Sequence, residues 1–130
     1  MKPKTIKIIY WSVTIFFALA MLADGIAGVV RIEAGKEGLA HLGYPMYVMT
    51  ILGVAKILGS IAVLQPQLRT IKEWAYAGFT INFIGAFASH VFVGDGIGML
   101  IPPIITLVIM FTSYFLWKRI ESTNLQTTRK

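Results

Sequence analysis

Four long stretches of the sequence carry almost no charge, and they constrain the fold more than any other feature. They cover residues 8–30, 44–64, 74–94 and 97–117. Asp24 and Lys56 are the only formal charges inside them. Each stretch has close to the ~20 residues with which a helix crosses a hydrocarbon core ~30 Å thick, and in lipid a helix satisfies its own backbone amides. The sequence therefore predicts an all-α fold, an integral membrane four-helix bundle, with residues 1–130 forming a single membrane domain.

The composition agrees with a chain that is surrounded by lipid. Hydrophobic residues make up 56% of the sequence and charged residues 14%, whereas soluble domains carry about 25% charged residues. A soluble globular domain is therefore excluded. Cysteine is absent, which excludes disulfides, thiolate metal sites and thiol-based redox relays.

The basic residues are distributed unevenly between the two sides of the predicted bundle. Nine of the 12 Lys and Arg residues lie before the first stretch, between the second and third, or after the fourth. Because positively charged segments stay on the cytoplasmic side, both termini are predicted to be cytoplasmic. The tryptophans lie at the same ends of their stretches: Trp11, Trp74 and Trp117. Topology therefore accounts for the net charge of +6, and no nucleic-acid partner is expected.

The segments outside the four stretches are expected to be loops, apart from the N-terminus. There, lysines precede an apolar run as in a signal peptide, but the run is too long for a signal core, so we expect a retained first helix. Residues 31–43 are expected to form a charged external loop. Residues 118–130 are expected to form a tail that is disordered from Ser122 to Lys130. Glu73 opens the third stretch, where a carboxylate complements the helix dipole.

Polar side chains inside the stretches are the candidate ligand-binding residues, because a polar group in lipid costs a few kcal/mol. At ~1.5 Å per residue, Asp24 and His90 fall near the external ends of their stretches. Lys56 and Asn82 fall close to the middle. We predict that Lys56, Asn82 and Asp24 line one cavity between the helices and that His90 lies above it. No residue pattern indicates a catalytic group or a metal site.

Each candidate also has an explanation that involves no ligand. Lys56 can extend toward the interface or pair with Asp24. Asn82 can hydrogen-bond to a neighbouring helix. A quinone-like lipophile is the ligand class considered, and a haem held by His41 and His90 ranks well below it.

The third stretch has a face of small and polar residues: Gly78, Asn82, Gly85 and Ser89. Larger apolar residues occupy much of its opposite side: Phe83, Ile84, Phe87 and Val91. Small residues allow helix backbones to approach closely, so we expect the small face to contact another helix and the large residues to face lipid.

Several segments carry a resemblance to a known family. They are Lys56-Ile57-Leu58-Gly59, Glu73-Trp74-Ala75-Tyr76-Ala77-Gly78-Phe79, Gly85-Ala86, Ser89-His90 and Gly94-Asp95. Through them nearly the whole chain resembles the DoxX-like family of small bacterial membrane proteins. The resemblance implies four helices in a bacterial inner (cytoplasmic) membrane, crossed several times. It also implies a link to quinones, because the wider family takes its name from a subunit associated with thiosulfate:quinone oxidoreduction. It supplies no catalytic residues.

Three functions from different classes follow. The first is a redox-associated subunit or small enzyme that handles a quinone-like lipophile, with a redox protein or a second copy of the chain as partner. The second is a structural or scaffolding membrane protein whose polar residues only connect helices. The third is a small multidrug-type transporter. Such transporters rely on a carboxylate in the membrane-embedded part of the first helix, and the position of Asp24 near the end of its helix argues against this function.

Overall fold

The computed structural model describes residues 2–129, with side chains described as far as Thr123, and this part of the chain is helical without any strand. The five helices are α1 Pro3–Val30, α2 Glu33–Leu42, α3 Met46–Leu64, α4 Arg69–Phe92 and α5 Ile97–Arg129. The all-α prediction is confirmed. Three segments are long and apolar enough to cross a membrane: Pro3–Val30, Met46–Leu64 and Ile97–Thr123. The 24 residues of α4 have the length but a lower hydropathy, since they include Arg69, Lys72 and Glu73 as well as Asn82 and His90.

The four longer helices pack in a ring. α1 packs against α3 and α5, and α4 packs against the same two helices from the other side, while α2 lies on α3. The short connections 65–68 and 93–96 make α3, α4 and α5 successively antiparallel. The bundle therefore has a termini end, with the start of α1 and the end of α5, and a loop end, with α2 and the α4–α5 connection.

The side of α4 that faces the other helices is aromatic. Phe17 of α1 makes edge-on contacts with Phe79 and Phe83, with ring centroids 5.0 and 6.2 Å apart, and all three rings are buried. Gly78 and Gly85 are exposed, with open space where a side chain would be. The prediction that the small face of α4 packs on a helix and that Phe83 faces lipid is therefore wrong, because large rings fill the wide space between α4 and α1.

Close approach of backbones occurs instead between α1 and α3. A Cβ atom on Gly53 would lie 2.7 Å from the carbonyl oxygen of Gly25 and 2.9 Å from the amide nitrogen of Val29. A Cβ atom on Gly28 would lie 3.0 Å from the carbonyl oxygen of Met49. Glycines at these positions therefore allow the two helices to touch through their backbones, as small residues do in membrane helix pairs.

Two segments that were expected to be irregular are helical. Residues 31–43 contain α2, which has Glu33 in its first turn and is capped after Leu42 by Gly43, whose φ of +85° is readily adopted by glycine. The predicted disordered tail is also wrong as far as Arg129, because α5 continues to that residue. Once a helix exists, each further residue adds a hydrogen bond without the cost of a new nucleus. Lys130 lies outside the described residues.

Charged and aromatic residues of α1, α4 and α5 contact one another at the termini end. Lys72 of α4 is buried, donates a hydrogen bond to the Tyr10 hydroxyl, and lies 4.9 Å from the ring centroids of Tyr10 and Trp117. Glu73 lies one turn inside α4 and binds Lys118 of α5, so its expected role at the start of a helix is wrong. These contacts fix α4 against α1 and α5.

Candidate functional site

A groove with a volume of about 440 Å³ lies between α3 and α4, and we call it the α3–α4 groove. Its lining residues are Leu52, Ala55, Lys56, Leu58, Gly59, Ala62, Ile71, Trp74, Ala75, Gly78, Phe79, Ile81 and Asn82. Most of this lining is apolar. Lys56 from α3 and Asn82 from α4 bring a cation and an amide to it from opposite walls.

Small residues of both helices, including Gly59 and Gly78, line the groove. Gly59 leaves room that the Phe79 ring occupies, since a Cβ atom there would lie 2.8 Å from that ring. Gly78 has nothing within 4 Å of its Cβ position, so the space beside it stays open. The exposed small face of α4 thus forms part of a groove wall.

Lys56 is held by Asp24. Its ammonium donates a hydrogen bond to the Asp24 carboxylate of α1, and the two form an ion pair. The Lys56 side chain is 20% exposed, and that of Asp24 is 55% exposed. An ammonium carries three donors, so this bond leaves two for other acceptors. Pairing with Asp24 was one of the expectations for Lys56, and the structure contains this pair.

Asp24 lines a second, smaller pocket rather than the groove. This pocket lies among α1, α2 and α3 and has a volume of about 160 Å³. Leu52 and Lys56 line both spaces, so Lys56 stands between the exposed carboxylate and the α3–α4 groove. The structure therefore places Lys56 and Asn82 in one cavity and Asp24 in its neighbour.

Asn82 is partly buried and lines the groove. None of the residues described in the structure forms a hydrogen bond with its side chain. An amide that helps to connect helices would bond across an interface, and this one does not. Its donors and acceptor are available to a molecule in the groove.

His90 lies at the loop end, away from the groove residues. Its Nδ1 is 2.6 Å from one oxygen of Asp95, and Nε2 of His41 is 2.6 Å from the other. The carboxylate thus connects α2, α4 and the α4–α5 connection. The hydrogen bond with His90, and to a smaller extent that with His41, holds the pKa of Asp95 below its usual value of 3.8. Asp95 was not predicted as a partner, although it follows His90 by only five residues.

Asp95→Asn is expected to lower the thermal unfolding midpoint at pH 7. Because the pKa of Asp95 is lowered on folding, its contribution is complete above about pH 4 and disappears as the pH falls through the lowered value. The difference between Asp95→Asn and the wild type should therefore shrink in acid. Glu37→Gln, at an exposed carboxylate without an ion pair among the described residues, serves as the control. If the unfolding midpoints of Asp95→Asn and the wild type differ by the same amount at pH 7 and pH 3, this role of Asp95 is contradicted.

Within the part of the chain that the structure describes, no group of three or more His, Asp and Glu side chains could hold a metal ion. At His41, Asp95 and His90 the facing nitrogen and oxygen atoms are at hydrogen-bond distance from one another. The cluster acts as a clamp between α2 and the α4–α5 connection.

Comparison with known proteins adds the family to this geometry. The model of the DoxX-like family matches residues 12–113, which include the α3–α4 groove with Lys56 and Asn82. The chain belongs to the DoxX-like family. It is 30% identical to the uncharacterized protein YdgD of Bacillus subtilis (strain 168), over 75% of this chain and 90% of that relative. No solved structure matches the chain.

The family and the apolar helices together identify a DoxX-like membrane protein. The resemblance drawn from the sequence is confirmed. The match begins at Ser12 and ends at Ser113, so it covers the contacts of Phe17 with Phe79 and Phe83, the glycine contact of α1 with α3, and the α3–α4 groove. The lysines before Ser12 lie outside it.

Proposed function

We propose that this DoxX-like protein binds a quinone-like lipophile in the α3–α4 groove and serves as a redox-associated subunit or small enzyme. One observation carries the proposal: Lys56 and Asn82 reach a mostly apolar groove from two different helices. The ligand oxygens would accept hydrogen bonds from both groups. Small-molecule sites typically combine an apolar lining with a few polar groups that fix the orientation of the ligand.

The volume and length of the groove are suited to a ligand with a single six-membered ring. Its volume of about 440 Å³ falls within the ~300–1,000 Å³ typical of ligand pockets. Trp74 and Asn82 lie about 12 Å apart along α4, at ~1.5 Å per residue. An indole near one end and an amide near the other would suit a flat molecule whose oxygens reach the polar end.

The polar end of the α3–α4 groove also carries a charge that is fixed in place, the ammonium of Lys56. Asp24 holds the Lys56 ammonium, which keeps two donors for ligand oxygens. A hydrogen bond from a charged donor contributes about 1.5–3 kcal/mol, more than one from a neutral amide. Lys56 is therefore the principal binding residue in this proposal and Asn82 the second. His90, at the loop end, has no direct part in it.

The proposed setting is a bacterial inner membrane. All four longer helices cross it in this proposal, including α4, whose polar residues face the groove and the other helices. Electrons for a bound quinone would come from a separate redox protein, since the chain has no cysteine for a thiol relay.

Lys56→Met tests the binding site, because it keeps the apolar stem and removes the charge. Protein extracted in mild detergent is analysed by mass spectrometry for the lipophile that copurifies. We expect the wild type to retain a molecule with carbonyl or hydroxyl oxygens and Lys56→Met to retain at least about ten-fold less, from the loss of a charged hydrogen bond. Lys36→Met, on a lysine of α2 that pairs with Glu33 outside the groove, should retain the wild-type amount.

Equal retention in wild type and Lys56→Met would overturn the proposed site. A folded wild type that carries no lipophile, even after incubation with a short-chain quinone, would favour the scaffolding function instead.

The proposed orientation has its own test. Gly38 in α2 and Gln67 in the α3–α4 connection are exposed at opposite ends of the bundle. Because the chain has no cysteine, a single cysteine can be introduced at either position without background labelling. With both termini in the cytoplasm, Gly38→Cys should react with an impermeant thiol reagent added outside intact cells, and Gln67→Cys should react only after lysis. The reverse pattern would invert the orientation.

A further inference from the structure

One outward face of α1 near the termini end combines positive charge with an indole and apolar surface. Its residues line a shallow cavity of about 390 Å³: Lys4, Lys7, Ile8, Trp11, Ser12 and Ile15. Residues three and four apart share a helix face, so these six form one continuous strip. The strip is separate from the α3–α4 groove, with which it shares no lining residue.

The two lysines of this strip have no acidic partner among the residues that the structure describes. Lys4 and Lys7 are exposed, and neither forms an ion pair with any residue that the structure describes. At the same end, Arg69 is paired with Glu121, and Lys118 with Glu73. Two like charges one turn apart repel each other, so an anion placed between Lys4 and Lys7 would remove an unfavourable interaction.

The residues below the lysines are layered in the order of a phospholipid. Trp11 follows Lys7 by one turn, and its ring is held edge-on against Tyr10 with centroids 5.0 Å apart. Tryptophan is typical of the headgroup level of a membrane. Ile15, one turn below Trp11 on the same face, is 44% exposed and offers apolar contact to a hydrocarbon chain, while Ile8, 59% exposed, lies between Lys7 and Trp11.

We propose that this strip binds an anionic phospholipid. Lys4 and Lys7 bind the phosphate, Ile8 and Trp11 lie beside the headgroup and glycerol region, and Ile15 contacts an acyl chain. The charge complementarity selects an anionic headgroup over a zwitterionic one, because basic residues near a membrane surface attract anionic lipids. The proposal does not depend on the ligand of the groove.

The test uses the full chain in neutral detergent, titrated with phosphatidylglycerol and analysed by native mass spectrometry. We expect the wild type to bind phosphatidylglycerol and to retain phosphatidylcholine far more weakly. A lysine near the surface contributes about 1 kcal/mol, or about five-fold in affinity. The double variant Lys4→Gln and Lys7→Gln should therefore bind about 25-fold more weakly.

Two further variants separate charge from other effects. The double variant Lys4→Arg and Lys7→Arg keeps both charges and should retain the wild-type affinity within a few-fold. Lys36→Gln removes one charge at the loop end and should leave binding unchanged. All of these positions are exposed or half-exposed, so the variants are expected to fold, which gel filtration and circular dichroism verify.

Three outcomes would overturn the proposal. Phosphatidylcholine could bind as tightly as phosphatidylglycerol, the double Gln variant could bind as the wild type does, or inorganic phosphate alone could displace the lipid and raise the thermal unfolding midpoint to the same extent. The last result would identify a site for free phosphate rather than for a lipid.

Discussion

Gly53→Ala is expected to lower the free energy of unfolding by about 2 kcal/mol, an unusual cost for one added methyl group. The new Cβ atom would lie 2.7 Å from the carbonyl oxygen of Gly25 and 2.9 Å from the backbone nitrogen of Val29. Backbone atoms cannot rotate away as a flexible side chain can, so α1 and α3 would have to separate. Separation would weaken the most extensive helix contact in the bundle.

Gly85→Ala is the matched control. The substitution is the same and also lies within a helix, but nothing is within 4 Å of the Cβ position of Gly85. Alanine favours a helix over glycine by about 1 kcal/mol, so this variant should be as stable as the wild type or more stable. Unfolding of both variants in a detergent titration measures the difference. Equal stability of Gly53→Ala and Gly85→Ala would show that the backbone contact between α1 and α3 is wrong.

Tyr10→Phe is expected to cost about 2 kcal/mol of stability through one hydroxyl group. That hydroxyl accepts a hydrogen bond from the buried ammonium of Lys72. Removing the acceptor leaves a buried charge with less compensation, which is more costly than the loss of an ordinary hydrogen bond. The rings of Tyr10 and Trp117, each 4.9 Å from the ammonium, would still attract it, so the loss is partial.

A double-mutant cycle distinguishes this charge effect from loss of packing. Adding Lys72→Met to Tyr10→Phe removes the charge and should recover at least half of the lost stability, because no unsatisfied ammonium remains. Tyr47→Phe, at a tyrosine that is 61% exposed and makes no hydrogen bond with the described residues, should have no effect. If Lys72→Met makes the Tyr10→Phe protein less stable still, the two residues do not interact as described.

The helices could be predicted from the sequence because lipid imposes a simple rule on the backbone. Long uncharged segments must be helical in a membrane, and the predicted stretches fall within helices α1, α3, α4 and α5, except for a few terminal residues. The short helix α2 was missed because it is too polar for that rule. Its signal was local, with Glu33 in the first turn and Gly43 at the end.

The rotation of the helices could not be predicted, and the candidate site depended on it. Gly78 and Gly85 form a regular small face, which suggests close packing, yet the Phe79 and Phe83 rings on the other side fill the core. Small residues either allow two helices to meet or leave space for a groove, and the pattern along one helix does not distinguish these outcomes. Gly25 and Gly28, only three residues apart, were the better signal of a contact between helices.

The depth of a residue along its helix was predicted more successfully than the direction in which its side chain points. Lys56 and Asn82 were placed at the same depth, and both line the α3–α4 groove. Asp24 and His90 were also placed at one depth, but Asp24 bonds with Lys56 while His90 bonds with Asp95. A long lysine side chain covers the difference in depth between Lys56 and Asp24, which an estimate from backbone rise alone omits.

Quenching of Trp74 fluorescence by a short-chain quinone tests the central claim most directly. Trp74 lines the groove and is 73% exposed, so a quinone bound between Lys56 and Asn82 lies close enough to quench it. The account predicts saturable quenching in the wild type, no such signal in Trp74→Phe, and a dissociation constant raised at least about ten-fold in Lys56→Met. Lys36→Met should titrate as the wild type does. Quenching that does not saturate, or that saturates equally in wild type and Lys56→Met, would contradict binding in the groove.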